Sequence, residues 1–172
     1  MIHLIRSGLE YGVRRLGLDT IFTITEASDG LHTLALSAPF AQAVRSSGSQ
    51  ALSGGSNVIV YTVEDYDPFA ALNIATGVFT APRAGFYSVV FNAIVTAASG
   101  LVVSNSCDIA INGAFTGACL GALNGPTEQY FQVTRAGYVP AAGQIYSRIN
   151  INGGTSPVVI ASRMTVVYVP GT

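Results

Sequence analysis

The chain has 172 residues, is 49% hydrophobic, and carries eight Lys+Arg against nine Asp+Glu, for a net charge of −1. Every cation is Arg, there is no Lys and no Trp, and the charged fraction of 10% is far below the roughly 25% usual for soluble domains. One domain with a full core is the default at this length, and its outside must be either uncharged polar surface or surface buried against other subunits.

Near-neutral charge without an Arg cluster argues against a nucleic-acid footprint. The absence of Lys removes Walker-A, Schiff-base and lysine-base chemistry. No run reaches 18 consecutive apolar residues, so no membrane partner is expected. The opening Met1-Ile2-His3-Leu4-Ile5-Arg6 lacks the basic-then-apolar order of a signal peptide.

In chain order, residues 1–30 hold seven charges: Arg6, Glu10, Arg14, Arg15, Asp19, Glu26 and Asp29. Ile2, Ile5, Leu9, Val13 and Leu16 recur at helical steps, while Gly8, Gly12 and Gly17 each cost about 1 kcal/mol in a helix. This segment reads as an arm that orders on docking, and residues 1–37 are assigned to it. From Thr20 the pattern turns to β, with runs at Thr20–Thr25 and Leu31–Leu36. Ser46–Asn57 (SSGSQALSGGSN) reads as a flexible loop with no packing face. Strands are expected at Val58–Val63, Val78–Ala81, Phe86–Thr96, Cys107–Ile111, Phe115–Leu120, Tyr130–Thr134, Gln144–Ile151 and Val158–Val169. Many short strands with Gly, Pro, Asn and Asp between them predict an all-β antiparallel sandwich or jelly roll.

Few residues suggest chemistry. His3 and His32 are far apart and have no metal-ligand spacing around them, and no Gly-x-Ser-x-Gly elbow exists. Glu64-Asp65-Tyr66-Asp67-Pro68 is the one acidic cluster; it lacks the spacing of a calcium loop and reads as a solvated loop with an Asp-Pro turn. No catalytic residue, metal or cofactor is assigned. Cys107 and Cys119 flank a hairpin whose Asn112-Gly113 is a two-residue turn signal. That turn sets 107 opposite 118, so Cys119 would face away and a disulfide would need a bulge. Both are read as buried free thiols. Gly113, Gly117 and Gly121, spaced by four, are read as turn and close-packing positions rather than a phosphate loop.

Residues 61–91, YTVEDYDPFAALNIATGVFTAPRAGFYSVVF, carry a more specific pattern. Tyr61, Asp67, Leu72, Phe79, Gly85, Tyr87 and Phe91 follow, without an insertion, a spacing that resembles the signature of the globular head domain of the first complement component. That signature is shared across the complement/tumour-necrosis-factor jelly-roll superfamily. Tyr61 stands where Phe is usual, and Val89 where the family has Phe; both keep the apolar strand character. The resemblance covers roughly residues 38–170, so residues 38–172 are assigned to the jelly roll. It implies a homotrimer with apolar faces buried between chains, and it implies no catalysis.

The family's animal members carry signal peptides and often collagen stalks, which this sequence does not show. The expectation is therefore a bacteriophage structural protein, made in the host cytoplasm and placed on the virion surface. In the first version it is a capsid decoration (cement) protein. Its arm residues Ile2, Leu4, Ile5, Arg6, Leu9, Arg14 and Arg15 hold a major capsid or other virion protein while the jelly roll projects outward. The alternative is a fibre or spike head whose polar loops, Ser46–Asn57, Ser99–Ser106 or Asn152–Ser156, bind a host-surface receptor.

Overall fold

A computed structural model describes the backbone of residues 22–26, 32–36, 40–102, 104–115, 119–123 and 127–169, with side chains from residue 40 onward apart from that of Phe115. The arm residues Ile2, Leu4, Ile5, Arg6, Leu9, Arg14 and Arg15, with His3, lie outside the described residues.

The chain divides into two compact units, one of residues 1–38 with Thr172 and one of residues 39–171. The described part of the first is an antiparallel hairpin of β1 (Phe22–Glu26) and β2 (His32–Leu36), in which Phe22 faces Leu36 and Glu26 faces His32. These are the two β runs read from the sequence.

The second unit is a sandwich of two antiparallel sheets. Its strands begin with β3 (Phe40–Arg45), β4 (Gln50–Ala51), β5 (Gly55–Val58), β6 (Val63–Tyr66), β7 (Leu72–Asn73), β8 (Val78–Thr80) and β9 (Gly85–Thr96). They continue with β10 (Ser106–Ile111), β11 (Ala114–Phe115), β12 (Cys119–Leu120), β13 (Ala122–Leu123), β14 (Glu128–Val139), β15 (Gln144–Ile151) and β16 (Val158–Val169). One sheet runs β13-β14-β9-β16-β3-β6, with β4 added to β16. The other runs β11-β10-β15-β8-β7, with β12 added to β10 and β5 to β15.

The three long strands of the first sheet show why this sequence makes a sandwich. Along β9 the even step puts Tyr87, Val89, Phe91, Ala93 and Val95 inward, each no more than 4% exposed. Met164 and Val166 of β16, and Phe131, Val133 and Val139 of β14, join them. Ile109, Ile145 and Ile149 close the core from the other sheet. Each of the Val, Ile, Met and Phe side chains among them contributes about 1.5–3 kcal/mol on burial.

Two readings of the sequence are corrected. Ser46–Asn57 is built rather than loose: it contains β4 and β5, and Leu52 is buried. β4 pairs with β16 and β5 with β15, and side-chain amides hold the backbone around them. Gln50 Nε2 donates to the Val58 carbonyl at 2.7 Å, the Val60 N–H donates to Gln50 Oε1, and Asn57 Oδ1 accepts from the Ser53 N–H. Glu64, Asp65 and Tyr66 belong to the exposed edge strand β6, not to a loop, since β3 supplies the partner backbone. Within the run expected at Phe115–Leu120, Phe115 lies in β11 and Cys119–Leu120 form β12.

Candidate interaction surfaces

The signature residues face the interior. Tyr61, Leu72, Phe79, Tyr87, Val89 and Phe91 are all in the core, with Phe79 and Tyr87 edge to face at 5.7 Å between ring centroids. The Tyr61 hydroxyl meets Ser147 Oγ at 2.7 Å. Burial pushes the Tyr61 hydroxyl well above its ordinary pKa, and the Ser147 hydrogen bond offsets part of this. Asp67 is the polar member and acts on the turn before β7: its carboxylate accepts from the Leu72 N–H at 2.6 Å and the Phe69 N–H at 3.3 Å. Gly85 lies under the Tyr168 ring, where a Cβ would come within 2.3 Å of a ring carbon. The motif therefore fixes how the sheets pack, and the surfaces available to partners lie at the alternate positions.

Those positions differ sharply between the two sheets. On the outer face of the β14-β9-β16-β3 sheet, Phe86 is 55% and Tyr138 58% exposed, with their rings edge to face at 5.8 Å. Val167, Val169 and Tyr130 are also exposed there. Val44, Ile94, Tyr130 and the strongly exposed Leu120 border an open groove of about 720 Å³ across this face, with Asn92 and Arg163 among its polar lining. The outer face of the other sheet carries Asp108 and Arg148, paired through two short bonds of 3.0 and 2.7 Å.

One end of the sandwich gathers loops. Asn105, fully buried, donates to Gln129 Oε1 and to the Gly153 carbonyl, while its own Oδ1 accepts from the Asn152 and Gly153 N–H groups. Gln129, also fully buried, donates to the carbonyls of Val102 and Gly121. This cluster ties together the segments after β9, β12 and β15, and Leu52 N–H adds the segment around β4 through the Pro157 carbonyl. The Ser99–Ser106 and Asn152–Ser156 segments are thus neighbours, with Ser99 bridged to Thr155. Phe40 and Val169 lie at the opposite end, opposite Val167 and Phe86 respectively. Neither Asn105 nor Gln129 stood out in the sequence; a Gln at an inward position of a strand is the one available signal.

The cysteine hairpin departs from its expected register. Asn112 and Gly113, at φ 51° and 77°, make the two-residue turn that pairs Ile111 with Ala114 and Ala110 with Phe115. Further along, Cys107 faces Cys119 rather than 118. The register thus shifts by one residue between the Ala110–Phe115 and Cys107–Cys119 pairs, and as direct partners the two cysteines share a face. Both cysteines are free, with sulfurs 2.8 Å apart. Gly121 is a close-packing position, where a Cβ would meet Gln129 and Phe131 at 2.6 Å. His32 falls in β2, and among the described residues no three His, Cys, Asp or Glu side chains come together. No helix among them is long and apolar enough to cross a membrane.

No family model matches the chain, and no curated protein matches it. Solved structures do. The globular domain of zebrafish complement 1qA protein is 10% identical over 78% of this chain and 99% of its own, with a TM-score of 0.54. Murine APRIL is 8% identical over 77% and 99%, with a TM-score of 0.55. PRD1 vertex protein P5 is 11% identical over 88% and 83%, with a TM-score of 0.57. The chain therefore has the complement/tumour-necrosis-factor-like jelly-roll fold, as the motif at residues 61–91 implied.

Proposed function

We propose that the chain is a non-enzymatic structural protein of a virus particle. In this reading it is a homotrimeric capsid decoration protein whose residues 1–37 anchor it to the shell and whose jelly roll projects outward. The observation that carries the reading is the apolar outer face around Phe86, Tyr138 and Val167. A monomer with that face in water, and with 10% charge in all, lacks the coat that keeps soluble domains apart. Two further copies of the chain are the occupants that a threefold arrangement calls for. The fold likeness to PRD1 vertex protein P5 supports a place on a virion surface.

Deleting residues 1–20 should leave a soluble trimer that no longer binds particles, read by light scattering and by co-sedimentation with particles lacking the protein. Normal particle binding by the truncated chain rejects the anchor. The same vertex likeness favours a second reading, a spike head binding a host receptor through the gathered loops. Copy number per purified particle separates the two: hundreds of copies mean decoration, and a few dozen or fewer mean a spike or fibre.

A further inference from the structure

Cys107 and Cys119 form a directly opposed pair on antiparallel strands β10 and β12. Opposed residues in such a ladder have Cα atoms about 4.5–5.5 Å apart, inside the window of about 4.4–6.8 Å that a disulfide spans. The side chains share a face, and the sulfurs are 2.8 Å apart, closer than unbonded sulfurs ordinarily pack. The turn at Asn112-Gly113 pairs Ala110 with Phe115, and the register has shifted by one residue where Cys107 meets Cys119.

We propose that Cys107 and Cys119 are a redox-active pair that closes to an intrachain disulfide by exchange with a small-molecule disulfide of the oxidised-glutathione class. The bond would clamp the segment that passes from one sheet to the other. β12 pairs with β10 in one sheet, and two residues later β13 pairs with β14 in the other, Ala122 facing Tyr130. Cys119 is half-buried on the wall of the open groove, whereas Cys107 is buried.

The route follows from that asymmetry. Cys119, as thiolate, attacks the external disulfide, forming a mixed disulfide and releasing one external thiol. Cys107 then gives up its proton and attacks the Cys119 sulfur, releasing the second external thiol. The two protein thiols lose two protons and two electrons, and the external disulfide gains both as it becomes two thiols. Burial, and then the neighbouring Cys119 and Asp108, raise the Cys107 pKa, which slows the second step. The preset approach of the sulfurs compensates, because the attack is intramolecular. A chain in a reducing compartment would hold the dithiol, and the same chain outside it the disulfide. This chemistry does not depend on which particle or receptor the domain serves.

The test compares reduced full-length protein with the same preparation equilibrated in a mixture of oxidised and reduced glutathione. Peptide mass mapping without reductant should find a 107–119 link in nearly every chain and no retained glutathionyl group. Thermal unfolding should move up by about 6–12 °C, the expectation for closing a short loop in a chain of this size. Cys119→Ser should abolish both changes. A stable glutathionyl adduct on Cys119, a link between chains, or an intrachain bond that leaves the melting temperature unchanged or lower would each overturn the proposal. The wild-type comparison decides the matter even if the variant fails to fold.

Discussion

On β15 the outward positions are Gln144, Tyr146, Arg148 and Asn150, whereas on β9 they are Phe86, Ser88, Val90, Asn92 and Ile94. Both strands bury their alternate positions in the same core, so the core places no demand on this difference. On the β15 side, Arg148 finds Asp108 on β10, and the pair stays hydrated enough to cost little. On the β9 side, aromatic and branched apolar groups stand beside each other across three strands: Tyr138 next to Phe86, and Phe86 next to Val169. At Phe86, Val90 and Ile94, alternation that should end in polar side chains ends in apolar ones. A sheet face of that composition is a surface awaiting cover.

The sharpest way to break the comparison is to charge one face at a time. Val167→Asp or Phe86→Asp replaces an exposed side chain, so an isolated domain should lose no more than about 1 kcal/mol. In the proposed trimer the same change buries three unpaired carboxylates. Dissociation constants should rise at least ~10³-fold, about 4 kcal/mol, with the circular dichroism of the fold retained. Thr80→Asp, on the exposed outer side of β8, should leave association untouched. Sedimentation velocity across a concentration series reads both. Dissociation by the Thr80 variant and not by the others would reverse the assignment of faces.

This contrast was only half visible in the sequence. Gly85–Phe91 announces a strand apolar on both sides, and the spacing from Tyr61 to Phe91 carried the fold, because core positions repeat with the strand period and leave a rigid pattern of large side chains. Order in Ser46–Asn57 was hidden, since Gln50 and Asn57 act through single side-chain amides that composition cannot distinguish from solvated ones. The Cys107–Cys119 match was hidden for a different reason. It depends on a one-residue shift of register between the Ala110–Phe115 and Cys107–Cys119 pairs, which a count from the turn does not foresee.

The faces differ, yet the loop end joins the two sheets through polar contacts, and Asn105→Ala tests that join. The change removes two donated and two accepted hydrogen bonds and leaves the Gln129 carbonyl oxygen and two backbone N–H groups without this partner in a buried site. A loss of about 2–4 kcal/mol is expected, lowering the melting temperature by about 4–16 °C. Association should be unchanged, because Asn105 lies inside the loop end and not on the apolar face. A variant that instead dissociates at wild-type stability would show that the loops themselves take part in the contact.

The smallest effect concerns the Tyr61–Ser147 bond, which joins the signature segment to β15. Tyr61→Phe keeps the ring in the core and leaves Ser147, fully buried, without its tyrosine partner, for a loss of about 1 kcal/mol near neutral pH. The pH dependence is the more specific readout. An unfolded tyrosine ionises near pH 10, whereas burial keeps the Tyr61 proton on to higher pH in the folded chain. Above pH 10 the unfolded state therefore holds fewer protons than the folded one. The stability this group supports is complete below that pH and falls as pH rises further, by up to about 1.4 kcal/mol per unit. Tyr87, raised chiefly by burial and bonded to the Arg83 carbonyl, contributes in the same direction and persists in the variant. Urea unfolding at pH 8 and pH 11 should show wild type losing more stability between the two than Tyr61→Phe, by about 1 kcal/mol. Equal losses would mean that the Tyr61 hydroxyl reaches solvent before the core opens, and that the join between the signature segment and β15 is looser than the burial of both residues implies.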